Sequence, residues 1–209
     1  MSSVAVDIGA TNIRFARLSA SGRPGQIAKF ATSEFPDLKT ALAHFLKLEG
    51  GHTSLSPLTE KEVAVWQFLL ERYGRVSVER VLSGPGIVEL YTALGSLEGR
   101  ETGVLRPEDI ASLAIRGESS LAVETLEIFC AWLGDVAGDV ALMYLARGGL
   151  YLAGDILLTI LEILKRSRFR SRFENKGRGA GVVAAIPTFL ISVGAPVLQG
   201  CTYLLNDSA

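Results

Sequence analysis

The sequence has little cysteine, little histidine and almost no net charge, and each shortage removes a class of function. Its two cysteines, Cys130 and Cys201, stand far apart without partners, which excludes a disulfide framework and fits a reducing compartment. Two histidines, His44 and His52, are too few for a zinc cluster with ligand spacing. Lys and Arg number 21 against 22 Asp and Glu, a formal charge of −1, so nothing draws the chain in general toward nucleic acid or an anionic membrane. The first residues lack a basic stretch followed by an apolar run, so no signal peptide is expected and the location is expected to be cytoplasmic. One uncharged segment, 181–198, is about long enough to span a bilayer as a helix. Pro187 and Pro196 interrupt it, however, and Phe189 to Val193 has the size and bounding of a buried strand.

What is present is organised around Val4 to Leu18, which reads V-A-V-D-I-G-A-T-N-I-R-F-A-R-L. Two apolar β-type runs flank Gly9, Ala10, Thr11 and Asn12, where a tight turn is expected. Backbone N–H groups at such a turn can hold an anion such as phosphate, because Gly9 has no Cβ to block the approach. Thr11 and Asn12 add donors, and Asp7 at the strand end supplies a carboxylate for a metal-bound water. An ordinary hairpin with Asn and Gly in its turn accounts for the same residues.

The chain of 209 residues is long enough to bury a real core. Gln26 to Ala31 reads as a third strand, and Asp37 to Lys47 as a helix with Leu38, Ala41, Leu42, Phe45 and Leu46 on one face. Thr59 opens a further helix as the first residue of a capping box closed by Glu62, with Val63, Trp66, Leu69, Leu70 and Tyr73 as its buried stripe and Gly74 as its stop. Ile87 to Gly95 and Pro107 to Ala114 continue helically. Leu121 to Leu145 is a long apolar helical pattern interrupted by Gly134 and Gly138. Cys130 and Trp132 read as core.

Three further stretches carry chemistry. In Glu49-Gly50-Gly51-His52 the glycines let a carboxylate and an imidazole converge on one small polar ligand, and such groups suit sugar hydroxyls, which donate and accept. Glu79 lies in V-S-V-E-R-V-L-S-G-P-G-I-V, where it is either a ligand or a carboxylate beside a helix start. Gly148-Gly149-Leu150-Tyr151-Leu152-Ala153-Gly154-Asp155 sets glycines around a short apolar strand, with a helix expected from about Ile156 and Asp155 as its cap. Lys165 to Arg178 is strongly basic with interleaved aromatics, which reads as a solvated basic face or, less simply, as a nucleic-acid contact.

These strings together resemble the bacterial ATP-dependent glucokinases, of the actin, Hsp70 and sugar-kinase superfamily. D-I-G-A-T-N-I-R-F-A resembles their first phosphate loop, with Ala10 where a second glycine is usual. E-G-G-H and the following T-S-L-S-P are similar to theirs, and V-S-V-E-R-V-L-S-G-P-G-I-V nearly repeats their string. The Gly148 to Asp155 stretch resembles the superfamily's adenosine motif, with Asp155 where a glycine is usual. F-E-N-K-G-R resembles a glucokinase surface segment, and A-I-P-T-F-L-I-S-V resembles the family's last strand.

The resemblance implies a fold of the α/β class, a truncated ribonuclease H-like actin/hexokinase-type fold of two lobes with a mixed sheet and helices. Residues 1–47 would be part of a small domain with the first phosphate loop, 48–184 part of a large domain, and 185–209 the return to the small domain. It implies sugar binding by Glu49, His52 and Glu79, and ATP binding by Asp7, Ile8, Gly9, Ala10, Thr11, Asn12, Gly148, Gly149 and Gly154, with Asp7 on Mg²⁺. The implied reaction is ATP-dependent phosphorylation of glucose to glucose 6-phosphate, without nucleic-acid or membrane partners. The family's Asn-Asp base motif after a strand of the first domain, and its second phosphate loop, have no visible counterpart. The chain passes from Lys47 to Leu48 as though a domain-sized block were gone. Asp37, Asp109, Asp135 and Asp139 lie in surroundings unlike that motif. A catalytically inactive sugar- or nucleotide-binding remnant is therefore the second reading, and a basic-patch nucleic-acid or membrane protein the third. Strand edges left unpaired by the missing block would favour pairing of two copies.

Overall fold

The computed structural model describes residues 3–8, 13–18 and 50–192, the first two stretches as backbone alone. The third strand and the helix expected within 19–49, and the tail beyond Ser192, lie outside the described residues. Strand β1 (Ser3–Ile8) pairs antiparallel with β2 (Ile13–Leu18), as the two apolar runs require. On its other side β1 runs parallel to β3 (Leu150–Ala153), which runs parallel to β4 (Thr188–Leu190). The order is β2-β1-β3-β4, so one sheet draws strands from each of the three expected segments.

Leu150 and Leu152 are buried on one face of β3, while Tyr151, on the other, stacks on Phe189 at 4.9 Å between ring centroids. The expectation of a buried strand from Phe189 to Val193 is corrected. The strand is three residues long, ends the described sheet, and leaves Phe189 44% exposed over the open face. No helix among the described residues is long and apolar enough to cross a membrane.

Nine helices follow from residue 60 onward among the described residues: α1 (Glu60–Tyr73), α2 (Val78–Val81), α3 (Gly84–Leu97), α4 (Pro107–Ile115), α5 (Ser120–Met143), α6 (Asp155–Thr159), α7 (Leu161–Arg166), α8 (Phe169–Glu174) and α9 (Ala180–Ala184). Hydroxyl caps start α1, α2, α3 and α5, where Thr59, Ser77, Ser83 and Ser119 accept from the N–H three residues on. Helix α5 is apolar nearly all round because it is central, with Phe129 and Trp132 fully buried. Its glycines do not interrupt it. Helix α8 crosses so closely that the carbonyls of Phe169 and Phe173 occupy the places a Cβ at Gly134 and Gly138 would need. The indoles peg one segment to this core, Trp66 donating to the Leu55 carbonyl at 2.9 Å and Trp132 to that of Ser56 at 3.2 Å. Burial pushes the Cys130 thiol up to about 12, which leaves it inert.

Helix α1 departs from its expected stripe. Val65 and Leu69 are buried, whereas Val63 is 38% exposed, and the third inward side chain is Glu62. The capping box is half formed. Thr59 accepts from the Glu62 N–H, but the Glu62 carboxylate accepts from the Leu58 N–H at 2.9 Å instead of returning to Thr59. The cause is Arg172 on α8, which donates to Glu62 Oε1 at 2.7 Å and Oε2 at 2.9 Å. The same guanidinium donates from Nε to Asp135 Oδ2 on α5 at 2.8 Å and from Nη2 to the same oxygen. Lys176 closes the cluster, 2.8 Å from Asp139 Oδ1 and donating to the Asp135 carbonyl at 2.8 Å.

Burial raises the Glu62 pKa, but the Arg172 hydrogen bonds and the Leu58 N–H outweigh it, and the carboxyl sits below its ordinary value. At Asp135 burial prevails and the pKa is raised. The solvated basic face expected over Lys165 to Arg178 holds for Lys165, Arg166, Arg168 and Arg178, which are exposed, and is corrected for the residues between them. Arg172 and Lys176 turn inward, Arg170 donates to the Ala184 and Ile186 carbonyls and to Glu174, and Phe169 and Phe173 are core.

Three helices close on glycines of positive φ, Gly74, Gly99 and Gly117. Helix α5 closes the same way on a leucine. Ala146 N–H donates to the Ala141 carbonyl at 3.0 Å and Leu145 N–H to that of Leu142 at 3.2 Å, a complete Schellman closure. Leu145 carries the left-handed conformation, φ 46°, and is the one non-glycine residue with positive φ among the described residues.

Two predictions follow from these contacts. Arg172→Met leaves Glu62 buried without its counter-ion and Asp135 with Lys176 alone, 3.7 Å away, and lowers unfolding free energy by about 3–5 kcal/mol in urea titrations, whereas the triple change Glu62→Met, Asp135→Leu, Arg172→Met recovers most of the loss. Leu145→Gly removes left-handed strain and raises stability by about 1 kcal/mol in the same titration, after allowance for the extra chain entropy of glycine.

Candidate functional site

The chain enters the described core through a 3₁₀ turn, Gly50–His52, closed by Thr53, whose Oγ1 donates to the Gly50 carbonyl at 2.7 Å. The next residues pair briefly with the strand that feeds α2. Leu55 N–H donates to the Val76 carbonyl at 3.1 Å and Val78 N–H to that of Thr53 at 2.9 Å. Arg75 adds a bond to the His52 carbonyl at 2.8 Å. These ties set the turn against the first turn of α2, where Glu79 stands.

Gly51 makes the approach close. A Cβ there would lie 3.2 Å from the Glu79 Cβ and 3.4 Å from its Oε2. With no side chain in the way, His52 Nε2 and Glu79 Oε2 come within 3.9 Å. Both line an open cleft of about 310 Å³ together with Ser77, Arg80, Ser83, Pro85 and Glu89. The S-G-P-G run folds the chain back between α2 and α3 so that these residues share one wall. The Val81 carbonyl fills the space a side chain at Gly86 would take. Donors and acceptors thus line one open concavity together, an arrangement suited to a polyhydroxylated ligand.

Of the sugar-binding residues inferred from the sequence, His52 and Glu79 are brought together, and Glu49 lies outside the described residues. Ser77, Arg80, Ser83, Pro85 and Glu89 were not singled out. Arg80 follows Glu79 directly, and Pro85 and Glu89 share a face of α3 at i, i+4 spacing, so the pattern contained the signal.

Of the nucleotide-binding residues inferred from the sequence, Asp7, Ile8 and Gly154 come to the same end of adjacent strands. The β1–β3 register sets Asp7 opposite Ala153, so Ile8 and Gly154 end adjacent parallel strands at the same edge. Ligands of open α/β sheets bind outside the carboxyl ends of the strands. Gly9, Ala10, Thr11 and Asn12, which follow Ile8, lie outside the described residues. Gly154 (φ 148°) precedes α6, which starts at Asp155 and not at Ile156. The capping position therefore belongs to Gly154, and the expectation that Asp155 caps the helix is corrected. Gly149 (φ 117°) has a packing reason of its own, since a Cβ there would stand 2.8 Å from the Phe189 ring. Gly148 precedes it in the turn before β3.

Beside Gly154 a slot of about 200 Å³ is lined by Ile87, Pro107, Ala111, Ile156 and Ile160, with Glu108, Asp155 and Thr159 at its rim. Gly84 lies against the same wall, where an added Cβ would stand in ordinary contact, 3.6 Å from Pro107 and 3.8 Å from Ile156. Cleft and slot therefore flank the same end of α3, one lined by Ser83 and Pro85, the other by Ile87.

The glucokinase family model matches residues 46–208. The chain belongs to the glucokinase family. It is 45% identical over 159 residues to the glucokinase of Neisseria meningitidis serogroup C, covering 76% of this chain and 48% of that protein. It therefore spans about half the length of the curated relatives it matches. Among solved structures, a glucokinase from an Antarctic psychrotroph superposes with a TM-score of 0.77 at 31% identity, covering 98% of this chain and 58% of that one. A glucokinase of the ROK family from Streptomyces griseus, solved in complex with glucose and AMPPNP, shares the fold at a TM-score of 0.60 and 16% identity, covering 97% and 60%. The truncated actin-like sugar-kinase fold implied by the sequence is thus the fold observed.

Gly51 gives this glucokinase-family cleft its sharpest test. Gly51→Ala displaces the Glu79 side chain by a few tenths of an ångström or more while touching no core residue. Glu79 is part-exposed and its side chain can give, so the melting temperature is expected to change little in thermal unfolding followed by circular dichroism.

Proposed function

We propose that this chain binds glucose in the cleft of His52 and Glu79 and ATP along the carboxyl ends of β1 and β3, in the manner of its family. The observation that carries the reading is the convergence of His52 and Glu79 across Gly51 at 3.9 Å within a polar cleft. Glu49, one residue before the turn, joins them as the third sugar ligand. The carboxylates accept from sugar hydroxyls, and the imidazole donates or accepts as its tautomer requires.

On the nucleotide side, Asp7, Ile8, Gly9, Ala10, Thr11 and Asn12 receive the phosphates, Gly148, Gly149 and Gly154 flank the adenosine, and the apolar slot beside Gly154 takes the base. The fit rests on the register that brings Asp7 level with Ala153 and on the glycine at 154, which leaves the backbone open to a ligand. A carboxylate oxygen at Asp7 suits Mg²⁺, which is held by few protein ligands and mainly by phosphate and water oxygens. When bound, ATP with Mg²⁺ supplies the phosphoryl group. The protein's part is to hold the sugar and the base on opposite flanks of the same end of α3.

The family reaction is transfer of the γ-phosphoryl group to glucose, which requires a carboxylate to accept the hydroxyl proton. The chain's single Asn-Asp pair, Asn206-Asp207, stands in the tail, outside the described residues, and the stretch where the family places its base is not in this sequence. Binding is therefore the retained activity and transfer is slow. That is the inactive-remnant reading in its concrete form, favoured by the direct passage from Lys47 to Leu48.

Titration calorimetry with glucose is expected to give saturable binding that Glu79→Gln weakens at least tenfold, and coupled detection of glucose 6-phosphate to give a kcat below about 1 s⁻¹, the lower edge of the usual kinase range. Absence of glucose binding would overturn the sugar reading. Turnover within the ordinary kinase range would overturn the assignment of slow transfer.

A further inference from the structure

The cleft contains a cation that no assigned sugar ligand accounts for. Arg80 follows Glu79 on α2 and lines the cleft, its guanidinium carbon 4.1 Å from the centroid of the Tyr73 ring. The nearby carboxylates are turned to other groups, Glu79 facing His52 at 3.9 Å and Glu89 facing Arg72 at 3.4 Å. A cation–π contact engages the charge of a guanidinium and leaves its five N–H donors for other partners. Arg80 is thus held by a ring face, in a pocket, with its donors uncommitted to any carboxylate.

Tyr73 is itself fixed. It is the last residue of α1, directly before the left-handed Gly74, and Arg72 also approaches its ring, at 5.4 Å from the centroid. Burial and the neighbouring Glu89 carboxylate raise its hydroxyl pKa, which keeps the phenol neutral. Glu89 Oε2, buried beside the same cleft, pairs with Arg72 Nη1 at 3.4 Å by charge and not by a hydrogen bond. The platform beneath Arg80 is therefore packed from behind by α1 and α3.

A hexose needs such a donor. Each sugar hydroxyl that donates to a carboxylate keeps lone pairs, and those lone pairs lose water when the ring enters the cleft. Glu79 can only accept. Arg80, one residue along, can only donate, and its fork reaches two adjacent oxygens at once. On the glucose-binding reading given above, we infer that Arg80 is a further sugar-binding residue, donating to vicinal hydroxyl oxygens of the hexose, with Tyr73 as the residue that positions it.

The test is calorimetry on the full chain with glucose and its 2-, 3- and 4-deoxy analogues. Arg80 is exposed, so its substitution leaves the core intact. Arg80→Ala is expected to weaken glucose binding roughly ten- to a hundredfold, as for a hydrogen bond from a charged donor, and Arg80→Lys by nearly as much because the fork is lost. Tyr73→Phe keeps the ring and stays within about twofold of the parent, whereas Tyr73→Leu loses several-fold. The decisive readout is the deoxy series. At least one hydroxyl whose removal weakens binding to the parent ceases to matter in Arg80→Ala, an effect that a merely structural role would not produce. Parent-like glucose affinity in Arg80→Ala, or deoxy penalties identical in both proteins, overturns the role of Arg80 while leaving the glucose site standing. If the parent binds neither glucose nor any analogue, the glucose-binding reading falls and this inference with it.

Discussion

The architecture depends on one buried guanidinium. Arg172 reaches from α8 to Glu62 on α1 and Asp135 on α5, all three nearly out of water, so that three helices are fixed by a charge cluster and not by apolar contact alone. Desolvating these groups is costly, and their attraction repays it only while the geometry is kept. The cluster therefore contributes less to stability than to orientation. It rotates α1 so that Glu62 points inward and Val63 outward, and with that rotation Tyr73 and Gly74 are placed at the far end of the helix, next to the cleft. Gly134 and Gly138 complete the constraint by letting α8 lie against α5 at backbone distance.

From this frame the cleft is assembled by short-range means. A 3₁₀ turn, a few main-chain hydrogen bonds and two hydroxyl-capped helix starts bring His52, Glu79 and their neighbours to one wall. None of these elements is long, and none would hold its shape alone. They are held because Leu55, Val76, Val78, Val81 and Leu82 are buried beneath them. The slot beside Gly154 uses the other flank of α3, so one helix end separates a polar cavity from an apolar one.

Much of this was legible in the residues. The Thr59 hydroxyl before an apolar period marked one helix start, Gly74 marked its stop, the glycines of E-G-G-H marked a sharp turn, and the E-G-G-H and V-S-V-E-R strings marked the cleft. What was missed has a common physical cause. The inward turn of Glu62, Arg172 and Lys176 depends on partners 37 to 110 residues away, which a periodicity read along one helix does not see. Leu145 in a glycine's conformation is equally invisible to propensity, since the closing hydrogen bonds and the packing of Ala141 and Ala146 outweigh the local strain. The short, half-exposed β4 was misread because an apolar run looks the same whether one or both of its faces are covered.

Trp66 and Trp132 donate to the adjacent carbonyls of Leu55 and Ser56, just downstream of the His52 turn, and they are the only two indoles in the chain. The tryptophan emission of the molecule thus originates around a single short segment. That segment is covalently continuous with the cleft floor, so the protein carries an unlabelled optical gauge beside its own ligand cavity.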